Sequence, residues 1–137
     1  QLNQVFMNIL ANSIDALDDA SQGRTYSEIE ADPNIIEIIT SEQNGQIQIQ
    51  IEDNGCGMEL ETARRIFEQG FTTKGVGKGT GLGMAIARQI VTEKHGGTIA
   101  YTSQLDRGTT VRVVLPVALP KQTPRGFSQA ESSRSGR

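Results

Sequence analysis

Three clusters in this chain combine residue types and spacings that can do chemistry. The first is Asn8, Asn12 and Asp15 within QLNQVFMNILANSIDALDDA. In a helix, at ~100° per residue, these three fall within about 60° of each other, and they read as the side opposite the apolar arc of Val5, Phe6, Ile9, Leu10, Ser13, Ala16 and Leu17. A solvated face would account for the three residues alone. However, Asn is a poor mid-helix residue because its side chain competes for the backbone, so two of them four apart suggest that the amides serve a ligand. An amide oxygen is a hard, neutral donor suited to Mg²⁺, which keeps several waters and takes few protein ligands.

The second cluster is Asp53-Asn54-Gly55-Cys56-Gly57-Met58. An ordinary turn opened by Asp is one reading. The other is that Gly55 and Gly57 let a base lie close to the backbone. An ionised Asp53 then accepts from an exocyclic amine, which discriminates adenine from guanine. The third is GFTTKGVGKGTGLGMAIARQIV, with glycines at 75, 77, 79, 81 and 83 leading into a helix. A flexible linker is one explanation. The other is a phosphate cradle of bare backbone N–H groups at a helix start, with Lys74 and Lys78 adding charge. Neither G-x-x-x-x-G-K-[ST] nor G-x-G-x-x-G occurs, which excludes a P-loop, a Rossmann fingerprint and a protein-kinase glycine loop.

The elements that must position these clusters follow from pattern. The first segment is an amphipathic helix. Ser21 to Asn34 is polar, with Gly23 and Pro33, and reads as a loop with at most a frayed helix end. Ile35–Ser41 reads as a strand, Glu42–Gly45 as the turn with an Asn-Gly hairpin signal, and Gln46–Glu52 as a half-buried antiparallel strand with Ile47, Ile49 and Ile51 on one face. Glu59–Phe67 reads as a short helix with Leu60, Ala63, Ile66 and Phe67 inward. Gln69–Thr80 has little that could pack and predicts a mobile loop. Gly81–His95 predicts one long helix with Leu82, Ala85, Ile86, Gln89, Ile90 and Glu93 at helical spacing, stopped by Gly96-Gly97. Two strands, Thr98–Ser103 and Thr109–Leu115, flank a turn at Leu105–Gly108.

The chain has 137 residues, enough for one domain with a real core. Its net charge of −3 argues against a protein that grips nucleic acid through phosphates. No apolar run reaches the ~18 residues of a membrane span, and no secretory leader opens the chain. One cysteine, Cys56, excludes an intrachain disulfide, and its simplest role is as a small residue beside the base. Of 15 glycines, 11 lie between Gly55 and Gly108, so the middle of the chain is where bare backbone is needed. The segment 119–137 is Ser, Arg, Pro and Gln with a lone Phe127, and predicts a disordered tail.

Taken in order, the three clusters resemble the ATP-binding catalytic domain of bacterial sensor histidine kinases, in the superfamily shared with gyrase, the mismatch-repair ATPases and a heat-shock chaperone. NQVFMNILANSIDAL is similar to the family's N box, DNGCGM to its G1 box, IFEQGFTTK to its F box and GKGTGLGMAIARQIV to its G2 box. GGTIAYTSQLDRGTTVRVVLP is similar to its closing hairpin. The resemblance spans Gln1 to Pro116. It implies an α+β fold, a two-layer α/β sandwich of the Bergerat type, with a mixed, mainly antiparallel sheet, helices on one face and ATP between the helices under a flexible lid. It implies a kinase domain over residues 1–118 lacking the strand that usually precedes the N box, followed by the tail.

The resemblance also implies site roles. Asn12 would hold Mg²⁺, with Asn8 and Asp15 beside it at the phosphates. Asp53 would read the adenine amine over Gly55 and Gly57. Ile66, Phe67, Phe71, Thr73 and Lys74 would contribute from the F box, the two Phe steadying the lid. Gly77, Lys78, Gly79, Thr80, Gly81, Leu82 and Gly83 would line the phosphates, and Thr109 the adenine side. The superfamily's ATPases place a glutamate four residues before the magnesium asparagine as general base. Here that residue is Asn8, which cannot take a proton. Asp15 stands where many of these kinases carry Lys. His95, the only histidine, reads as a capping or packing residue rather than a phosphoacceptor.

The implied activity is transfer of the ATP γ-phosphoryl to a histidine on a separate dimerisation domain, then to a response-regulator receiver domain, in a cytoplasmic two-component phosphorelay. A self-contained ATPase, an anti-sigma-type serine kinase and a non-catalytic binding module are the competing readings.

Overall fold

The computed structural model describes residues 1–68 and 82–117. The predicted mobile loop and tail, with Phe71, Thr73, Lys74, Gly77, Lys78, Gly79, Thr80 and Gly81, lie outside the described residues. A helix α1 (Leu2–Ser21) and a short helix α2 (Tyr26–Ala31) precede a hairpin, β1 (Ile36–Gln43) and β2 (Gln46–Asp53). Helix α3 (Leu60–Arg64) follows, then α4 (Gly83–Gln89), which runs into a π-helical turn at Ile90–Lys94. A second hairpin, β3 (Thr98–Gln104) and β4 (Gly108–Pro116), completes the described fold. The four strands form one sheet in the order β1-β2-β4-β3, each neighbouring pair antiparallel.

Alternation along the strands decides which face is covered. Register sets Ile51 of β2 opposite both Ile38 of β1 and Val111 of β4, and Tyr101 of β3 opposite Val111. Paired residues share a face, so Ile49, Ile51, Val111, Val113, Ile99 and Tyr101 all point toward the helices. α1 contributes Val5 and Ile9, and α4 with its π-turn contributes Met84, Ala87, Ile90 and Val91. The largest fully buried side chains are Ile9, Ile51, Val5, Val91 and Val113, so the core is aliphatic and centred where α1 and α4 lie over β2 and β4. β1 sits at the edge, and its Ile38 and Ile39 stay exposed.

The first hairpin turns at Asn44 and Gly45, both at positive φ (56° and 78°), the geometry of a two-residue type I′ connection. This extends β1 two residues past the expected Ser41. The polar stretch expected as a loop contains α2. Thr25 and Glu28 form a reciprocal capping box, Glu28 N–H donating to Thr25 Oγ1 at 3.1 Å and Thr25 N–H to Glu28 Oε1 at 2.8 Å. The signal was a Thr with Glu three residues on.

The expected continuous helix after Gly81 is α-helical only to Gln89 and then opens into the π-turn. Its buried residues are Met84, Ala87, Ile90 and Val91, while Leu82, Gln89 and Glu93 are exposed. Of the residues expected at helical spacing, Ile90 is in the core, Ile86 packs against it and Ala85 is half-buried, so the spacing holds for half of them. Gly96, at φ +65°, ends the element, and Gly97 N–H donates back to the Val91 carbonyl at 2.9 Å. In α3, Ala63 is buried but Leu60 is 68% exposed, contrary to the inward placement read from spacing. Five residues make little more than one turn, too short to present both to the core.

Truncating Ile51 to Ala should cost about 2–5 kcal/mol, as deletions in packed cores do. Leu60→Ala should change stability by less than about 0.5 kcal/mol, as exposed substitutions do. Urea unfolding of both variants checks the contrast, and equal losses would contradict this core.

Candidate functional site

α1 carries the first cluster, though not on a solvated back. Asn8, Asn12 and Asp15 are half-buried, beside Val5, Ile9 and Ala16 rather than opposite them. At ~100° per residue Asn12 falls between Val5 and Asn8, so the trio forms one flank of the buried arc. That flank faces α4, because Asn8 Nδ2 donates to the Gly83 carbonyl at 2.9 Å. A glutamate could not make this bond while ionised, since it has no hydrogen to give. Leu82, the residue before α4, remains exposed.

Asp53 ends β2 and is only 6% exposed, yet it is a carboxylate. Its Oδ1 accepts the Gly55 N–H at 2.9 Å. Desolvation by burial pushes its pKa above the ordinary 3.8. Hydrogen bonds from the Gly55 backbone, the Ser13 side chain and the Thr109 backbone pull it partly back, and nearby Glu52 pushes it up slightly. Thr109 stands directly across the ladder from Asp53. Its hydroxyl lies 2.7 Å from Ser103 Oγ, which accepts the Met58 N–H at 2.9 Å and contacts the Gly108 carbonyl at 3.2 Å.

The loop after Asp53 is clamped from two sides. Cys56 N–H donates to the Ala16 carbonyl of α1 at 3.1 Å, and Cys56 O accepts from Asp106 N–H of the β3–β4 turn at 2.7 Å. The two glycines of this loop have packing reasons for lacking a side chain. A Cβ on Gly55 would meet the Ala16 backbone at 2.7 Å, and one on Gly57, at φ +67°, would strike the Gln104 carbonyl. The sequence reading explained them by the approach of a base; close contact with protein backbone is the reason visible in the fold. Burial, then the charge of Asp19, pushes the Cys56 thiol up, so it stays protonated and unreactive at neutral pH.

The F-box residues in the described part pack on the core. Ile66 and Phe67 are partly buried, with the Phe67 ring 5.4 Å from Tyr101 and Arg88 over its face at 5.6 Å. His95 is half-buried beyond the π-turn, and among the described residues its Nε2 is the buried side-chain nitrogen or oxygen without a hydrogen-bond partner. A cavity of about 610 Å³ opens at the sheet end, lined by Asp53, Asn54, Ser103, Gly108 and Thr109 and continuing over Glu37, Glu52, Thr102 and Thr110. No residue of α1 lines it. The fold thus brings Asp53, Gly55, Gly57 and Thr109 together, and joins Asn8 to Gly83. Ser13 and Ser103 belong with Asp53 and Thr109 but were missed. A lone hydroxyl on the apolar arc of α1 was the available signal for Ser13.

Among the described residues no three His, Cys, Asp or Glu gather into a metal cluster. No helix among the described residues is long and apolar enough to cross a membrane.

Comparison with known proteins gives a consistent result. The profile of the histidine kinase-, DNA gyrase B- and HSP90-like ATPase family matches residues 1–119. The sensor histidine kinase ZraS of Escherichia coli (strain K12) is 34% identical over 126 residues, covering 92% of this chain and 24% of that protein. The signal transduction histidine-protein kinase AtoS of the same strain is 37% identical over 117 residues, covering 85% of this chain and 17% of that protein. The chain therefore spans about a quarter or less of these relatives. Among solved structures, the nucleotide-free catalytic domain of histidine kinase ThkA aligns over 84% of this chain and 65% of its own, with TM-score 0.62 and 25% identity.

Because the folded-state pKa of Asp53 is raised, ionising it opposes folding. That cost is fully present above the raised pKa and is relieved as pH falls toward 3.8. Asp53→Asn should therefore raise Tm at pH 7, with the gain shrinking as pH falls through that window. Thermal melts across pH check this, and a gain that grows in acid would contradict the assignment.

Proposed function

The chain belongs to the histidine kinase-, DNA gyrase B- and HSP90-like ATPase family, and from that premise we propose that it is the ATP-binding catalytic domain of a two-component sensor kinase, donating the γ-phosphoryl of ATP to a histidine on a separate dimerisation domain. We read the domain as residues 1–118, with 119–137 as a tail, and the next acceptor as a response-regulator receiver domain.

The observation that carries the choice of kinase over hydrolase is Asn8. At the position where the superfamily's ATPases hold a general base, this chain has an amide whose nitrogen is committed to the Gly83 carbonyl. It cannot take a proton from water. The remaining task is positioning and charge stabilisation, which is most of what phosphoryl transfer requires of a protein. The relatives' descriptions as sensor histidine kinases support the same reading.

In this reading Asp53 accepts the adenine amine from a buried site, where a missing partner is costly and selectivity is correspondingly strong. Thr109 and Ser103 order the rim beside it. Gly55 and Gly57 keep α1 and the β3–β4 turn close enough to hold that rim rigid. The Asn12 amide oxygen and the flanking Asp15 would lie on the phosphate side, where Asn12 would hold Mg²⁺; the ion, bound with ATP, would neutralise phosphate charge. Asn8 fixes the spacing of α1 and α4. Lys74, Lys78 and the glycines from 77 to 83 would supply the remaining phosphate contacts, with Ile66, Phe67, Phe71, Thr73, Thr80 and Leu82 closing the site.

The deciding experiment incubates the chain with radiolabelled ATP and the histidine-bearing helical domain of a sensor kinase such as ZraS. Acid-labile, base-stable label on that domain is expected, with little phosphate release when the acceptor is omitted. Steady release without acceptor would favour the ATPase, and acid-stable label on serine the anti-sigma-type kinase. Two substitutions probe the site by calorimetry. Asp53→Asn should weaken ATP binding at least tenfold, in keeping with about 1.4 kcal/mol or more for a buried hydrogen bond to a charged group. Asn12→Ala should remove the magnesium dependence of binding; a variant that still needs magnesium refutes that role.

A further inference from the structure

Three side chains stand in a row across the end of the sheet. Register sets Asp53 of β2 opposite Thr109 of β4, and Thr109 opposite Ser103 of β3. All three line the cavity at the sheet end. The Ser103 Oγ accepts the Met58 N–H at 2.9 Å, reaches the Gly108 carbonyl at 3.2 Å and lies 2.7 Å from Thr109 Oγ1. It therefore joins the loop after Asp53 to the first two residues of β4. A serine hydroxyl has one hydrogen and two lone pairs. The Met58 N–H occupies one lone pair. The Gly108 carbonyl can only accept, so the hydrogen goes to it. Thr109 must then donate its own hydrogen to the lone pair that is left. The reverse assignment would set the Ser103 and Gly108 oxygens facing each other at 3.2 Å with no hydrogen between them. That carbonyl is held in place, because Gly108 packs so closely on the Asp53 backbone that a Cβ would strike the Asp53 carbonyl.

We propose that Ser103 is a positioning residue for base selection: it takes up the Thr109 hydroxyl hydrogen, so that Thr109 meets the nucleotide with lone pairs alone. Asp53 and Thr109 then form a pair of acceptors on neighbouring strands, with Cβ atoms about 5 Å apart. An exocyclic amine carries two hydrogens and suits such a pair. A base without the amine leaves both acceptors unpartnered, which is where selectivity arises. Without Ser103 the Thr109 hydroxyl can rotate and donate instead, and the bias toward the amine falls. Ser103 fixes this polarity before the ligand arrives, so less ordering is needed on binding. The inference rests on the reading of Asp53 and Thr109 as the residues at the adenine edge.

The test compares two nucleotides on the full chain by calorimetry. One is ATP. The other is purine riboside triphosphate, which carries hydrogen where adenine carries the amine. The parent chain should prefer ATP. Ser103→Ala should lose about five- to tenfold in ATP affinity, the range of one hydrogen bond, while its affinity for the amine-free nucleotide stays within twofold. Thr109→Val, matched in size and without a hydroxyl, should show the same pattern. The double variant should bind ATP no more weakly than Thr109→Val alone, because Ser103 acts on the base through Thr109. Should Ser103→Ala fail to fold, Ser103→Cys, close in volume and a weak hydrogen-bonding group, carries the same comparison. Equal losses for both nucleotides, an unchanged preference in the Ser103 variant, or losses that multiply in the double variant would overturn the role of Ser103. Asp53→Ala separates the proposal from the reading beneath it. If that variant narrows the preference and the Ser103 variant does not, Asp53 remains the reader and only Ser103 is dismissed. If Asp53→Ala leaves the preference whole, the reading of Asp53 fails and the proposal with it.

Discussion

A carboxylate set between a helix layer and a sheet is an expensive object, and the arrangement around Asp53 is what makes it tolerable. Desolvation raises its pKa, and three donors from three parts of the chain partly offset that rise. Each donor places a demand on the fold. The Gly55 N–H requires a tight turn at the strand end. The Ser13 hydroxyl requires α1 to cross β2 at a fixed height. The Thr109 backbone requires β4 to pair with β2 in one register, since a slip of one residue would send Thr109 to the far face. The position of one anionic group therefore constrains helix, hairpin and sheet together.

The loop between Asp53 and α3 transmits that constraint. Cys56 is bonded through its N–H to α1 and through its carbonyl to the β3–β4 turn, so the loop ties the two layers together instead of draping over them. Gly55 and Gly57 make the approach possible because Ala16 and Gln104 already occupy the space a side chain would take. Two turns earlier on α1, Asn8 ties the same helix to α4. α1 is thereby held at two points along its length, while its buried arc rests on β2 and β4. A binding surface built from its half-buried flank inherits that rigidity.

Much of this was legible in the sequence, and the failures have physical causes. Periodicity found α1, both hairpins and the strand leading to Asp53, because apolar spacing and Asn-Gly chemistry act locally. It missed α2, whose six residues bury nothing and stand on a capping box alone. It placed Asn8, Asn12 and Asp15 opposite the core, although the wheel sets them at its margin; only the packing of α4 shows why a margin is the useful place. The pairing of Asp53 with Thr109 depends on a register that no local pattern states, and came through resemblance. Ser13 went unremarked because a small residue on an apolar arc looks like filler until its partner arrives from another layer.

The π-turn at Ile90–Lys94 has a further consequence. Relative to an α-helix, such a turn accommodates one extra residue, which here lets Ile90 and Val91 both enter the core at the end of α4. Removing one residue from this stretch would let the helix wind as α throughout while the chain beyond it kept its direction, because the wide turn is what takes up that residue. Gly96 and Gly97 would still turn the chain toward β3, and the loss would fall on the packing of Ile90 and Val91. The exit of this helix thus tolerates loss of the extra residue in direction and pays for it in the core.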